Sequence, residues 1–435
     1  MAMQPSTESD APATSGAPVA TAEDIDDATA DVSLWGPLRS RDYRWFLLGG
    51  LTFSGSLWVG ITAVGWIALE LTGSPSGVTL ASAVWFSPFV VLALPAGVLA
   101  DSMDRRWLMI VLRGLSAVLM LAGALIAFSG QLTYPLLLVL AACNGALIII
   151  EMPARQAYIA MLVPRGQLVN AMAMLSSEGS VSRVAGPLLA GILLDETGAG
   201  GAFLAFAVLC LMIIIFTLRI RTPGRVVRER APGAAAGRMH RELMEGLRHI
   251  AGHRDARAVV TLAILAGTVS WVYVTLLPVM TREVFDGDAR LLGTLSAAIG
   301  IGQVPSAVLL AFYRNFRHTG IAYIASMLTL GLAIVGYAVS TSVPLTLGLL
   351  ALTGLTFSSQ HIMLNAILLR IVEPRFHGRV LGAMFLPWGF NVLGLLSAGA
   401  IAEALGVQLA VGLSGALLVI FASGAVLLRP QLLRI

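Results

Sequence analysis

The chain has no lysine; all 28 of its basic Lys-plus-Arg positions are arginine. Chemistry that needs a lysine amine, such as a phosphate-loop lysine or a Schiff base, is excluded, and no ATPase site is encoded. The same bias suggests G+C-rich codon usage. Cysteine is almost as scarce. Cys143 and Cys210 fall in apolar runs without metal-ligand spacing, so they read as small core residues and say nothing about redox. Charge of either sign is also rare, at 12% of 435 residues, against 57% hydrophobic residues and a mean hydropathy of +0.85. A soluble globular protein is excluded by that balance, which describes a polytopic membrane protein. The net charge of +4 gains meaning from where the arginines lie and implies no nucleic-acid partner.

The first residues contain no base. Up to about residue 36 the chain is rich in Ala, Ser, Thr and Pro and carries only acids, among them Glu8, Asp10, Glu23 and Asp31. Such a stretch cannot bury enough apolar surface to fold, so residues 1–38 are expected to be a disordered acidic tail. It lacks the basic start and apolar core of a signal peptide. Long apolar runs follow at 44–69, 77–100, 107–128, 135–160, 168–194, 201–218, 258–280, 291–313, 319–340, 343–369, 379–402 and 408–428. Each is near the roughly 20 residues that cross the hydrocarbon. With the N-terminus inside, cytoplasmic segments hold 23 arginines, the spans hold Arg113, Arg155 and Arg183, and the outer loops hold only Arg282 and Arg290. The positive-inside rule then places both termini in the cytoplasm of a cell-membrane protein.

The segment from Arg219 to Arg257 carries ten arginines and divides the spans six and six. Met239, Leu243, Leu247 and Ile250 recur there at helical spacing among charged residues, which predicts an amphipathic helix on the inner leaflet within a 221–256 linker. The flanking halves, 39–220 and 257–435, resemble copies. Arg41-Asp42-Tyr43-Arg44 is echoed 213 residues on by Arg254-Asp255-Ala256-Arg257, and Pro164-Arg165 is echoed 210 residues on by Pro374-Arg375. Matching offsets at distant places indicate an internal repeat, the arrangement of transporters whose halves rock about a central substrate site.

Between the second and third runs lies Gly97-Val98-Leu99-Ala100-Asp101-Ser102-Met103-Asp104-Arg105-Arg106. On a helix Gly97 and Asp101 share a face one turn apart, and the glycine admits a close neighbour to which the carboxylate is delivered. Asp101 meets the unfavourable end of its own helix dipole, so it needs Arg105, Arg106 or another helix's N-terminus. An acid that finds its partner across a helix contact acts as a gating latch, here expected to engage the eleventh span near Gly378-Arg379. Near offset 211 Asp101 falls on Phe312 while Arg314 and Arg317 remain, so the second half keeps the base and lacks the acid. The stretch resembles the G-x-x-x-D-x-x-G-R-R loop of the major facilitator superfamily, with Asp104 replacing the second glycine. A similar D-R-R ending occurs in the branch containing the macrolide and enterobactin exporters. Pro153-Ala154-Arg155-Gln156-Ala157, Asn170-Ala171, Glu245-Gly246-Leu247-Arg248 and Gly378-Arg379-Val380 are similar to that branch too. The resemblance implies an all-α integral membrane fold of twelve transmembrane helices in two pseudo-symmetric six-helix bundles. Around Gly186, Pro187 and Gly191 the fifth span is similar to the antiporter motif G-P-x-x-G-G; Ser182 and Ala190 stand for two of its glycines. The physical content of that motif is a kink and a close helix contact.

Charges within spans are costly and are functional suspects by default. Glu151 and Glu178 both lie about 15 Å from the inner edge of their runs at 1.5 Å per residue. Arg155 follows Glu151 by four residues on one helical face, the favourable acid-before-base order. Arg183 points away from Glu178 and should find its partner on another helix or on substrate. An offset of 210 carries Glu151 onto His361, a second group able to titrate in a cycle. Ser54, Ser56, Trp58 and Thr62, with Trp271 and Tyr273, would give a cavity both apolar and hydrogen-bonding character. The first span has no acid before Glu70 at its outer end.

These features lead to the expectation of a secondary active exporter of amphipathic organic molecules, driven by proton entry and acting as a monomer without metal or cofactor. An importer or facilitator of the same fold stays open, as does a membrane enzyme or receptor. Against the last stands the absence of a His/Asp metal cluster, a nucleophile motif or a sensory domain.

Overall fold

The structure, a computed structural model, describes residues 35–225, 252, 254–313, 319–371, 386–429 and 431. All regular structure among them is helical. The first half comprises α1 (Arg41–Thr72), α2 (Pro75–Phe86 continuing as Pro88–Ser102), α3 (Arg105–Phe128), α4 (Tyr134–Leu162) and the stretch Leu168–Arg219. That stretch spans 52 residues and bends at Gly198 (φ 66°, ψ −161°). At 1.5 Å per residue it would be about 80 Å long if straight, so its limbs are two spans, α5 and α6. The second half comprises α7 (Arg254–Ser270, broken into Val272–Thr275 and Leu277–Glu283), α8 (Ala289–Tyr313), α9 (Thr319–Val339), α10 (Val343–Ile371), α11 (Leu386–Leu405) and α12 (Val407–Leu428). Among the described residues the helices thus group into twelve limbs, at the places where the sequence expects spans. The predicted linker helix, Arg314, Arg317, Gly378 and Arg379 lie outside the described residues.

Local chemistry sets the ends. The Ser40 side chain accepts from Tyr43 N at the start of α1, and Asp104 accepts from the amides of Arg106 and Trp107 at the start of α3. These caps satisfy amides that have no partner within the helix. Four turns at one end of the bundles use glycine with positive φ, at Gly73, Gly130, Gly198 and Gly406, because a side chain there is strained.

The pairing of helices in the first half recurs in the second. α2 packs on α4 as α8 packs on α10, and α3 packs on the α5–α6 stretch as α9 packs on α12. Large apolar residues face outward in stripes, with Val111, Leu115, Val118 and Leu125 exposed on α3 and Leu409, Leu413, Leu417 and Ile420 on α12. A soluble protein would bury these faces; lipid accepts them. The halves meet along two related seams, α5 with α8 and α2 with α11. A Cβ at Gly191 would meet Ala289 O at 2.5 Å and Gly293 Cα at 3.0 Å, so the backbones touch as small residues allow.

At the opposite end, the helices of the first half are tied together. Asp42 accepts from the amides of Arg221 and Thr222 at 3.0 and 2.7 Å, and Arg106 donates to the carbonyls of Thr217 and Leu218 at 3.2 and 2.9 Å. The arginine thereby completes the C-terminus of α6.

Candidate functional site

Two polar regions interrupt the apolar interior. The first lies inside the N-terminal half. Arg113 of α3 forms an ion pair through Nε with Glu151 of α4, and both side chains are almost fully buried. Arg113 Nη2 and Glu151 Oε1 have no further partner. Arg155, one turn beyond Glu151, lies over the rings of Phe46 and Phe53 at 4.6 and 4.8 Å, while Arg113 covers Phe53 at 4.4 Å. Glu178 of α5 accepts from Ser54 Oγ at 2.9 Å. A Cβ at Gly50 would overlap both Arg155 and Glu178, which makes α1 a glycine window where these two groups approach. Two arginines and two carboxylates thus neutralise one another in a low-dielectric setting.

This arrangement corrects one expectation. Glu151 takes its salt bridge from Arg113 on a neighbouring helix rather than from Arg155 on its own. Helical spacing identifies partners within a helix, whereas packing rotates Arg113 onto the carboxylate and turns Arg155 toward α1. Depth is the signal that would have found Arg113, which lies eight residues into α3, about 12 Å by helical rise.

The second region is a cavity at the seam between the halves, lined by residues of α1, α2, α5, α7, α8 and α10. Trp58 of α1 and Trp271 of α7 stack with centroids 6.3 Å apart. Phe86 packs on Trp271 at 6.1 Å and Phe357 meets it edge-on at 5.9 Å. Ser270, Trp271 and Phe357 also border a second lobe in the C-terminal half, which His361, Gln360 and Asn391 line. Arg183 enters the seam lobe, bonds the side chain of Gln303 on α8 and lies over Trp58 at 5.2 Å. His361 lines this cavity, whereas Glu151 lies in the cluster within the N-terminal half. Sequence reasoning marked Ser54, Ser56, Trp58, Thr62, Trp271 and Tyr273 for this place, but Ser54 turns to Glu178 and Ser56 to the Phe53 carbonyl, and Phe86, Gln303 and Phe357 were missed.

Of the loop residues, Asp101 is exposed and pairs with Arg105 at 3.2 Å, one of the partners its helix-end position calls for. Its expected contact with Gly378 and Arg379 lies outside the described residues. Gly186 packs on α1, where a Cβ would approach Trp58 Cβ at 2.7 Å, while Gly191 and Pro187 face α8. Outside these spans Arg290 bridges Asp195 and Glu196 at 2.7 Å each, and Glu403 accepts from Ser74 Oγ at 2.6 Å. Both contacts join the halves at the end that holds the Gly73 and Gly198 turns.

Twelve spans in two related six-helix bundles with a cavity between them define a transporter of the major facilitator type. Residues 32–434 match the family described as transmembrane secretion effector, and the chain belongs to that family. It is 24% identical over 369 residues to macrolide efflux protein A of Streptococcus pyogenes, covering 81% of this chain and 87% of that protein. It is 25% identical over 373 residues to the multidrug efflux pump Tap of Mycolicibacterium fortuitum, covering 83% and 89%. Among solved structures, a bacterial homolog of the human lysosomal transporter Spinster, inward-facing and unoccupied, superposes with a TM-score of 0.68 at 14% identity, covering 90% of this chain and 98% of that one.

Proposed function

We propose that this transporter is a proton-coupled exporter in the cell membrane, both termini cytoplasmic, expelling amphipathic organic molecules by alternating access. The observation that carries the reading is the seam cavity, where an aromatic wall of Trp58, Phe86, Trp271 and Phe357 adjoins Arg183 and Gln303. Apolar rings with a few convergent polar groups suit a flat organic solute. The cavity draws on both halves, so a rocking motion about it would expose the same walls first to one side and then to the other. The low-identity likeness to efflux proteins supports the outward direction.

Coupling is assigned to Glu178 and Arg155. A buried carboxylate keeps its charge only while a counter-charge is at hand. Movement of α5 against α1 and α4 during rocking would change the Arg155–Glu178 approach through Gly50 and so load or release a proton. Glu151, held by Arg113, serves as the fixed member of the cluster. Asp101, with Gly97, Arg105 and Arg106, is assigned to gating against the Gly378-Arg379 turn, and Gly186, Pro187 and Gly191 to the helix contact that opens and closes. Counterflow in liposomes with a panel of amphipathic compounds, with and without a pH gradient, tests the reading. Exchange of at least one compound, made concentrative by a gradient, is expected; exchange that ignores the gradient refutes coupling, and no exchange of any compound refutes export.

A further inference from the structure

Among the described residues Arg183 is the one cation lining the seam lobe, and no Asp or Glu lines either lobe. Its Nη1 donates to Gln303, an uncharged amide, and its Nε is buried without a hydrogen-bond partner. No described carboxylate forms an ion pair with it. The nearest acid along its own helix, Glu178, is turned toward Ser54 on α1. This contrasts with Arg113, which has Glu151, and with Arg290, which has Asp195 and Glu196. A guanidinium held within an apolar span with a neutral partner and a free Nε lacks its counter-charge, and its planar fork suits an oxyanion. Trp58 beneath it and Trp271 stacked beside Trp58 extend an apolar platform directly from the charge.

We propose that the cavity binds amphipathic organic anions, with an acidic group, such as a carboxylate, on Arg183 and the apolar body against Trp58, Trp271 and Phe357. The proposal rests on the export reading above and narrows its substrate class. Gln303 is the placeholder that the anion displaces or joins, and the second lobe, with His361 and Asn391, accommodates polar groups at the far end of a longer solute.

Isothermal titration of the purified full chain with 1-naphthoate, 1-naphthamide and 1-naphthylmethylamine tests it, since the three share one apolar body and differ in charge. Naphthoate should bind roughly ten-fold or more tightly than the amide, the ratio a charge-assisted hydrogen bond supplies, and the amine least well. Arg183→Gln should abolish the difference between naphthoate and amide. Gln303→Glu should abolish it too, because a carboxylate on Arg183 competes with the ligand, and this variant keeps the arginine should its removal impair folding. Equal affinity for naphthoate and amide, preference for the amine, no binding of any probe, or a naphthoate preference surviving in both variants would overturn the proposal. Counterflow of the amide with no naphthoate preference would leave export standing and remove the anion site. Naphthoate preference without counterflow of any compound would remove export and leave the anion site.

Discussion

Replacing Glu151 by Gln should cost stability, whereas replacing Glu178 by Gln should cost function. Arg113 and Glu151 are 1% and 0% exposed at the side chain, so Glu151→Gln leaves a guanidinium in the bundle core with its direct counter-ion gone. Breaking a buried pair by removing one partner costs about 3–5 kcal/mol, while replacing both partners by apolar residues of similar volume is often neutral or better. At roughly 2–4 °C per kcal/mol for a folding unit of this size, the single variant should unfold on the order of 10 °C lower. Arg113→Met combined with Glu151→Met should recover most of that loss. Glu178 accepts from Ser54 and leaves its Oε2 without a hydrogen bond, so Glu178→Gln forfeits less. Thermal unfolding of the purified variants in detergent reads these differences, by circular dichroism and by thiol-reactive fluorescence at buried Cys210 in a background lacking Cys143, which is exposed and not the core residue its apolar run suggests. A Glu151→Gln protein as stable as wild type, or a double variant no better than the single, would refute the assignment of the pair as the fixed member.

Asp101→Asn should abolish transport in a folded, inserted protein, and Gly97→Leu should do similar damage by separating the helices; wild-type export by Asp101→Asn would sink the latch. In a background lacking Cys143 and Cys210, cysteines at Gly73, Gly130 or Gly198 should react with impermeant thiol reagents from outside while one at Gly233 should not, and the reverse pattern would overturn the topology. Gly191→Leu forces the α5–α8 seam apart, since even a Cβ meets Ala289 O at 2.5 Å. A cysteine at Ser296, which lines the cavity, should then gain reactivity toward an external reagent. Unchanged labelling would mean that this seam is not an outer gate.

The spans were legible because crossing a bilayer demands about 20 apolar residues and leaves little choice of secondary structure. Gly73, Gly130 and Gly198, placed in outer loops from the sequence, turned out to be turn residues with positive φ. Pairing across helices was less legible. The order Glu151 then Arg155 favours a pair on one helix, and nothing local tells how α3 is rotated to bring Arg113 onto Glu151. Trp58 and Trp271 were readable as cavity candidates by type, but Phe86 and Phe357 look like ordinary apolar residues until their helices cross. Gln303 carries a detectable signal, a side-chain amide two residues before Pro305 within an apolar run. Its role toward Arg183 depends on a contact between halves, which no repeat offset reveals. Asp101 was found through its loop, yet its described partner, Arg105, is the local one.

The most direct test of the account is uphill transport in liposomes by wild type and by Glu178→Gln under an imposed pH gradient, with counterflow measured on the same preparations. The account predicts that wild type concentrates substrate only when the gradient is present, and that Glu178→Gln retains counterflow but no longer concentrates substrate. Gradient-driven accumulation by Glu178→Gln at the wild-type level would contradict it.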